Sequence, residues 1–542
     1  MTKNSIAVLL AALVFISPSV FGQEISEPDY SAYILTPKAP ETPRINGPKI
    51  YGARPGADFL FRIPATGRRP MTFSATGLPK GLKLDRKTGI ISGKAVSEGE
   101  FKVSLKASNK LGSDVRELRI VIGDRIALTP PMGWNSWNCW GNSVSQDKIM
   151  SSAKAILDKG LADYGWSYVN IDDGWQGVRG GKDNAIMPNS KFPDMKGLVD
   201  YLHSNGLKAG IYSGPWVGTY AGHIGETCND PDGKYFWIEE GICDSVYKVD
   251  RSRMDRGKVW HFGEYSFAAI DAAQWAEWGF DYLKYDWNPN DLHYLKEMHD
   301  ALAATGRDIV YSISNSAPYA LAPYLMRYAQ CWRTTGDIRD KWSSIFKIGF
   351  GGMDGWAACK RPGNWPDADM LVLGKVGWGS KTHFSRLTPD EQYTHMTLWS
   401  ILSSPLLIGC DLAALDDFTL SLLCNNEVID VNQDPLGLQA SRIYGDETYA
   451  TYLKPLEDGS VAIALFNLSE EPKTIGFIPR SIGLPTRQTV RDLWRQKDIA
   501  TVEFDERWET EVAPHGCAFV RLSPGITGEK LIGTIRMLKE KN

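Results

Sequence analysis

Acidic residues that close apolar runs are the groups in this chain best placed to do chemistry. Asp286 ends the run Tyr282-Leu283-Lys284-Tyr285. Side chains alternate along an extended strand, so Lys284 and Asp286 point to the same side. An ammonium that close would hold Asp286 ionised; a salt bridge that only ties down the strand end is the plainer use of the pair. A second run, Cys331-Trp332-Arg333-Thr334-Thr335, leads to Asp337, with Asp340 as its rival. Helix capping would account for either. Asp172 and Asp173 close a third run. Capping explains one of them, and binding of sugar hydroxyls explains both. Cleaving a glycosidic bond takes two carboxylates, one ionised and one carrying a proton. In such a pair the Asp286 charge would raise the pKa of Asp337 and keep it protonated.

The rest of the chain offers no competing chemistry. No Cys/His cluster has zinc spacing and no glycine-rich phosphate loop follows the first βα strand, so neither metal nor cofactor is expected. Lys and Arg number 60 against 64 Asp and Glu, a net charge of −4, without a basic block to draw nucleic acid or an anionic membrane. The 19 Trp and 22 Tyr supply flat faces on which sugar C–H groups stack, although core packing explains such a surplus too. Residues 6–16 form an uncharged apolar run behind Lys3, broken by Ser17-Pro18-Ser19. Too short to span a bilayer, it reads as a signal peptide cleaved near Gly22-Gln23, which makes the mature chain secreted or periplasmic. No later run reaches about 18 apolar residues, so no membrane span is expected. Of eight cysteines, Cys228 and Cys243 are the best placed for a local disulfide. Cys139, Cys331, Cys359, Cys410, Cys424 and Cys517 read as buried free thiols. Nothing in the sequence sets an oligomeric state.

The elements that must position the acids fall into three domains, as the 542-residue length allows. After the signal peptide (1–22), residues 23–43 are rich in proline and read as an extended linker. Residues 44–123 alternate in short strands: Phe101, Val103 and Leu105 face one way, Lys102, Ser104 and Lys106 the other, so an immunoglobulin-like β-sandwich is expected. Within 124–437 the unit helix, glycine, apolar strand, polar strand end recurs. A parallel sheet with helical crossovers follows. The length of this region and the missing phosphate loop favour a (β/α)8 barrel over a doubly wound sheet, and a barrel puts functional groups at the C-terminal ends of its strands. Residues 438–524 return to alternation, with 448–453, 461–467 and 511–522 as strands of an antiparallel β domain packed on the barrel. Residues 525–542 form a tail.

From Leu128 onward the sequence resembles glycoside hydrolase family 27, which contains α-galactosidases and α-N-acetylgalactosaminidases. The resemblance is carried by Leu128-Thr129-Pro130-Pro131-Met132-Gly133-Trp134-Asn135-Ser136-Trp137, Ile171-Asp172-Asp173-Gly174-Trp175, Gly210-Ile211-Tyr212 and Leu283-Lys284-Tyr285-Asp286. It continues in Trp332-Arg333 through Asp337-Ile338, Asn364-Trp365-Pro366-Asp367-Ala368-Asp369-Met370-Leu371, Ser404-Pro405-Leu406 and Asn432-Gln433-Asp434-Pro435-Leu436-Gly437. It implies a barrel with a C-terminal β domain, Asp286 as nucleophile and Asp337 as general acid/base. It also implies that Asp172 and Asp173 bind the hydroxyls at C4 and C6, that Lys284 and Arg333 hold ring hydroxyls, and that Trp134 and Tyr212 wall the pocket. Asp369 joins the substrate-binding set. The family retains anomeric configuration, which calls for carboxyl groups about 5–5.5 Å apart.

Departures from the family pattern bear on specificity. Gly174 stands where a cysteine is common, and Trp287-Asn288 where Gly-Cys is. Residues 213–267 are a long insertion at the pocket mouth. In the fifth-strand loop Ser314 and Ala317 fall where Glu and Leu favour galactose, and where Ser and Ala admit an N-acetyl group at C2. The sequence thus predicts an enzyme releasing α-linked galactose from a carbohydrate. α-N-Acetylgalactosaminidase, β-L-arabinopyranosidase and isomalto-dextranase are the alternatives within the family, and an inactive carbohydrate-binding protein the one outside it.

Overall fold

A computed structural model describes residues 28–235 and 259–524. The signal peptide, Cys243 and with it the Cys228–Cys243 pairing, and the 525–542 tail lie outside the described residues. Eight parallel strands make the central sheet: β1 (Met132–Asn135), β2 (Tyr168–Asn170), β3 (Lys208–Ser213), β4 (Tyr282–Asp286), β5 (Val310–Ser314), β6 (Cys331–Arg333), β7 (Trp365–Asp367) and β8 (Leu406–Ile408). From β1 to β7 they pair in chain order, and β8 pairs with β1. Leu371 bridges the last gap: it pairs in parallel with Ile408, and its N–H donates to the Leu407 carbonyl at 2.8 Å. The sheet therefore closes as a (β/α)8 barrel, and every strand delivers its C-terminal end to one face.

The crossovers form for the reasons legible in the sequence. Helix Gln146–Asp158 buries Ile149, Ala153 and Ile156 against the strands and is capped by the Ser145 hydroxyl; Gly160, at φ 77°, lets the chain turn off its end. Asp194 and Asp291 cap Met195–Ser204 and Leu292–Ala304 in the same way. Helix Pro389–Ile401 differs, being buried on nearly every side. It lies between the barrel and the C-terminal domain, so no face of it needs to be polar.

The N-terminal domain pairs a four-stranded with a three-stranded sheet, with Val103, Leu105 and Ala107 turned into a core of its own. It rests against the barrel end opposite the strand C-termini. There Arg54 donates its Nε–H to Asp308 Oδ1, just before β5, at 2.6 Å and its backbone N–H to Oδ2 at 2.9 Å, and Tyr51 meets Lys208 at the start of β3. Residues 28–43 are largely irregular but docked: Tyr30 stacks edge-on against Phe418, and the Tyr393 hydroxyl donates to the Tyr33 carbonyl.

The C-terminal domain has a six-stranded antiparallel sheet and a two-stranded one. Its strand Val461–Asn467 is buried along its whole length, with Ile463 and Leu465 facing the domain core and Ala462, Ala464 and Phe466 facing the barrel. The expected strand over 511–522 is two strands, Trp508–Val512 and Cys517–Pro524. Pro514 has no N–H to donate, and His515 turns the chain at φ 55°. Cys139, Cys331, Cys359, Cys410, Cys424 and Cys517 are free thiols.

Candidate active site

Strand β4 carries Lys284 and Asp286 onto the same side, as its alternation requires. Lys284 Nζ, however, reaches across to Asp172 Oδ2 at 2.8 Å, from β4 to the end of β2. Burial would strip the charge from this lysine, but Asp172 and Asp286 together outweigh it and hold the pKa above the usual range. Tyr212 on β3 donates its hydroxyl to Asp286 Oδ2 at 3.2 Å. The other oxygen, Oδ1, is buried without a hydrogen-bond partner. Gly214 lets the chain leave β3 here: a Cβ on it would stand 2.5 Å from the Asp286 carbonyl oxygen.

Across β5, Arg333 ends β6 nearly buried, pairing with Asp369 Oδ2 at 3.0 Å and with Asp337 Oδ1 at 3.4 Å. Asp369 Oδ2 also accepts the Ile338 N–H at 2.8 Å. It thereby fixes both the cation and the loop that presents Asp337. Asp340 is committed elsewhere: only 1% exposed, its carboxylate takes His383 and Arg386, each at 3.1 Å. The rivalry between Asp337 and Asp340 is thus resolved by burial. Asp337, with its side chain 51% exposed, stands at the mouth.

The protonation pattern is the reverse of the sequence expectation. Burial pushes the Asp286 carboxyl up to about 6 despite Lys284, and the neighbouring Asp337 charge adds to the rise. For Asp337 burial also acts upward, but Arg333, Lys284 and Arg339 outweigh it and hold it below the usual carboxylate range. Asp286 lies deep in the barrel and Asp337 sits among cations, so without substrate the proton they share belongs mainly to Asp286.

The described residues of the insertion after β3 build one wall. Asp173 Oδ1 accepts the Thr219 hydroxyl at 2.9 Å and Oδ2 the Ala221 N–H at 2.8 Å, so this carboxylate anchors the loop. Burial raises it to about 7. Between these anchors Tyr220 packs edge-on with Trp216 and Trp260, and Trp216 stacks on Trp260. Behind the loop, Arg179 forks onto Asp271 at 2.9 and 2.8 Å and donates to the Gly225 and Glu226 carbonyls, with all these groups buried.

A family model described as "Alpha galactosidase A" matches residues 129–250 and 238–434, and one for the α-galactosidase C-terminal β-sandwich matches 446–522. α-Galactosidase 3 of Arabidopsis thaliana is 34% identical over 417 residues, covering 75% of this chain and 84% of its own. The chain belongs to the α-galactosidase family of glycoside hydrolases. An Ig-domain model matches residues 42–123, in front of that family's two domains. A solved Bacteroides fragilis chain, described as a candidate α-galactosidase/melibiase, is 36% identical at TM-score 0.78 and covers 89% of this chain and 98% of its own. A family 27 β-L-arabinopyranosidase of Geobacillus stearothermophilus is 29% identical at TM-score 0.62, with 74% and 97% covered.

In this α-galactosidase-family chain, the structure gathers Asp172, Asp173, Tyr212, Lys284, Asp286, Arg333, Asp337 and Asp369 at one end of the barrel. Ser314 pairs in register with Asp286 on β4, and its buried hydroxyl has no partner; the Ala317 N–H donates to the Arg333 carbonyl. Trp134 differs from the expected pocket wall: it has no exposed surface, and its indole N–H donates to the Cys410 carbonyl at 2.7 Å. Thr219, Tyr220 and Trp216 were not singled out by the sequence, which marked only the length of their insertion and its place at the pocket mouth. No group of His, Cys, Asp and Glu among the described residues is arranged to hold a metal ion, and no described helix is long and apolar enough to cross a membrane.

Proposed function

We propose that the protein is a retaining exo-α-galactosidase, secreted or periplasmic, that releases terminal α-linked galactose through a glycosyl-enzyme on Asp286. The observation that carries this reading is Asp286 Oδ1, a buried carboxylate oxygen without a partner beside one that Tyr212 holds. Oδ1 attacks the anomeric carbon while Asp337, carrying the shared proton, protonates the departing oxygen; the C–O bond to the leaving group breaks as the ester forms. Asp337, now ionised, then takes a proton from water, and that water displaces Asp286. Lys284 and Arg333 keep negative charge favourable in both carboxylates. Relatives named α-galactosidase support galactose as the sugar.

Asp286→Ala tests the assignment. Turnover of 4-nitrophenyl α-galactoside should be lost with the fold intact, and azide should restore release of nitrophenol while giving a galactosyl azide of inverted configuration. Azide rescue of an Asp337 variant with inversion, and none of Asp286→Ala, would exchange the two roles.

A second reading, α-N-acetylgalactosaminidase, is favoured by one feature, the unpartnered Ser314 hydroxyl beside Asp286. Ser314→Glu with Ala317→Leu should abolish any turnover of the N-acetylgalactosaminide and spare the galactoside. If kcat/KM moves for neither substrate, these residues do not face C2.

A further inference from the structure

Arg339 lies two residues beyond Asp337, exposed at the mouth. Beyond helping to hold the Asp337 carboxyl down, its cation has no task in the mechanism. The other arginines of this rim are committed, Arg333 to Asp369 and Asp337, and Arg386 to Asp340. No carboxylate among the described residues forms an ion pair with Arg339. Its backbone N–H is tied to Ser344 Oγ at 2.9 Å, and its guanidinium lies over the Trp378 ring, 4.8 Å from the centroid.

Trp378 is itself held in place. It sits in the loop after β7 in a left-handed conformation, φ 51°, which costs a non-glycine residue free energy unless its surroundings impose it. Its N–H donates to the Asn138 carbonyl at 2.9 Å, and its own carbonyl lies so close to Gly141 that a Cβ there would be 2.6 Å away. The loop after β1 thus fixes the Trp378 backbone, and the indole carries the guanidinium. Both stand on the Asp337 side of the pocket, where the general acid meets the leaving group.

We propose that Arg339 on Trp378 forms the subsite for the leaving group, and that it selects leaving groups bearing an anion, a carboxylate or sulfate, next to the scissile bond. The indole holds the planar guanidinium from one side, and the guanidinium offers two parallel N–H donors to the anion. Of the neighbouring carboxylates, Asp340 is buried and already neutralised by His383 and Arg386, and Asp337, which feels the Arg339 charge, is paired with Arg333. The preferred substrates would then be α-galactosides of acidic oligosaccharides or polysaccharides. This rests on the α-galactosidase reading above.

The test compares kcat/KM for two aryl α-galactosides that differ only in the leaving group, 4-carboxyphenyl and its neutral 4-carbamoylphenyl counterpart. At low salt the wild-type enzyme should prefer the carboxylate about five- to tenfold, the range of one partly shielded charge-assisted contact. Salt at about 0.5 M should shrink the preference. Arg339→Gln should bring the ratio close to one, and Arg339→Lys should keep part of it. A general effect of Arg339 on Asp337 would change both substrates alike and leave the ratio where it was. An enzyme that hydrolyses neither galactoside overturns the function reading, and this inference with it. An enzyme that hydrolyses both with the same ratio as Arg339→Gln overturns the subsite alone. A sulfated aryl galactoside run in parallel tells which anion is preferred.

Discussion

Replacing Asp337 by Asn removes two things at once, a proton donor and a negative charge, and the structure gives each a separate signature in the pH profile. In the substrate-free enzyme the carboxyl pair holds one proton below about pH 6, where Asp286 titrates. Above that the last proton leaves, and neither carboxyl can protonate the leaving group. Because the split of the proton between Asp286 and Asp337 does not depend on pH, kcat/KM of the wild type should fall about tenfold per unit as pH rises beyond about 6. In Asp337→Asn no proton is required from position 337, and Asp286 need only be ionised. Without the Asp337 charge its pKa drops below about 6, so the profile becomes one rising limb followed by a plateau. Loss of general acid assistance costs about 10²–10⁴ on a natural galactoside and far less on 4-nitrophenyl α-galactoside, whose leaving group departs unaided. On the aryl substrate the two enzymes should therefore converge by about pH 8. The assay is initial-rate kcat/KM from pH 3 to 9 for both substrates. An alkaline limb that survives unchanged in Asp337→Asn would refute the reasoning, because the proton lost near pH 6 would then belong to a different group.

Three further outcomes follow from the same contacts. Asp286→Asn should melt above wild type at pH 7.5 and alongside it near pH 4: a carboxyl raised to about 6 by burial loses folded-state stability as pH climbs from about 4 to 6, roughly 1–3 kcal/mol in all. Arg179→Ala leaves Asp271 buried and uncompensated and should cost about 3–5 kcal/mol in denaturant unfolding, with part recovered in the double variant Arg179→Ala/Asp271→Ala. Equal stability in single and double variants would remove the fork from the account. Thr219→Val deletes the hydroxyl that steadies ionised Asp173, so the Asp173 carboxyl should move above its present value of about 7, and kcat/KM at pH 6 should fall about tenfold; an unchanged kcat/KM would mean that the wall moves independently of Asp173.

The architecture was largely legible because it rests on short-range rules. Alternation at Phe101 to Lys106 and the unit of helix, glycine such as Gly160, and apolar strand each act within a few residues, and the barrel followed from the repetition of that unit. The parallel strands are buried on both faces, so their acids stood out as the polar ends of apolar runs. Charge balance was not legible. The sequence put Lys284 beside Asp286, and the fold sends its Nζ to Asp172; it put Asp337 near Asp286, and the fold adds Arg333 and Arg339 around it. Asp172 is distant from Lys284 in the chain, Arg333 and Arg339 lie within four residues of Asp337 but are turned onto it only by the fold, and burial depth, which pushes the Asp286 carboxyl up to about 6, is a property of the whole barrel. Trp134 reads as an aromatic wall by motif, yet the Cys410 carbonyl from the far end of the barrel sequence takes its N–H and the ring closes over. Thr219 and Tyr220 carry no local pattern; only their anchor on Asp173 reveals them.

The central claim is that Asp286 forms a covalent bond to the sugar. An α-galactosyl fluoride carrying a further ring fluorine slows hydrolysis of the glycosyl-enzyme more than its formation, so the intermediate accumulates and can be digested and sequenced by mass spectrometry. The account predicts one fluorogalactosyl group per chain, on the peptide containing Tyr282 to Asp286 and at Asp286 itself, with loss of activity in step with labelling. A label on Asp337, or steady turnover of the fluoride with no labelled peptide and an inverted product, would contradict it.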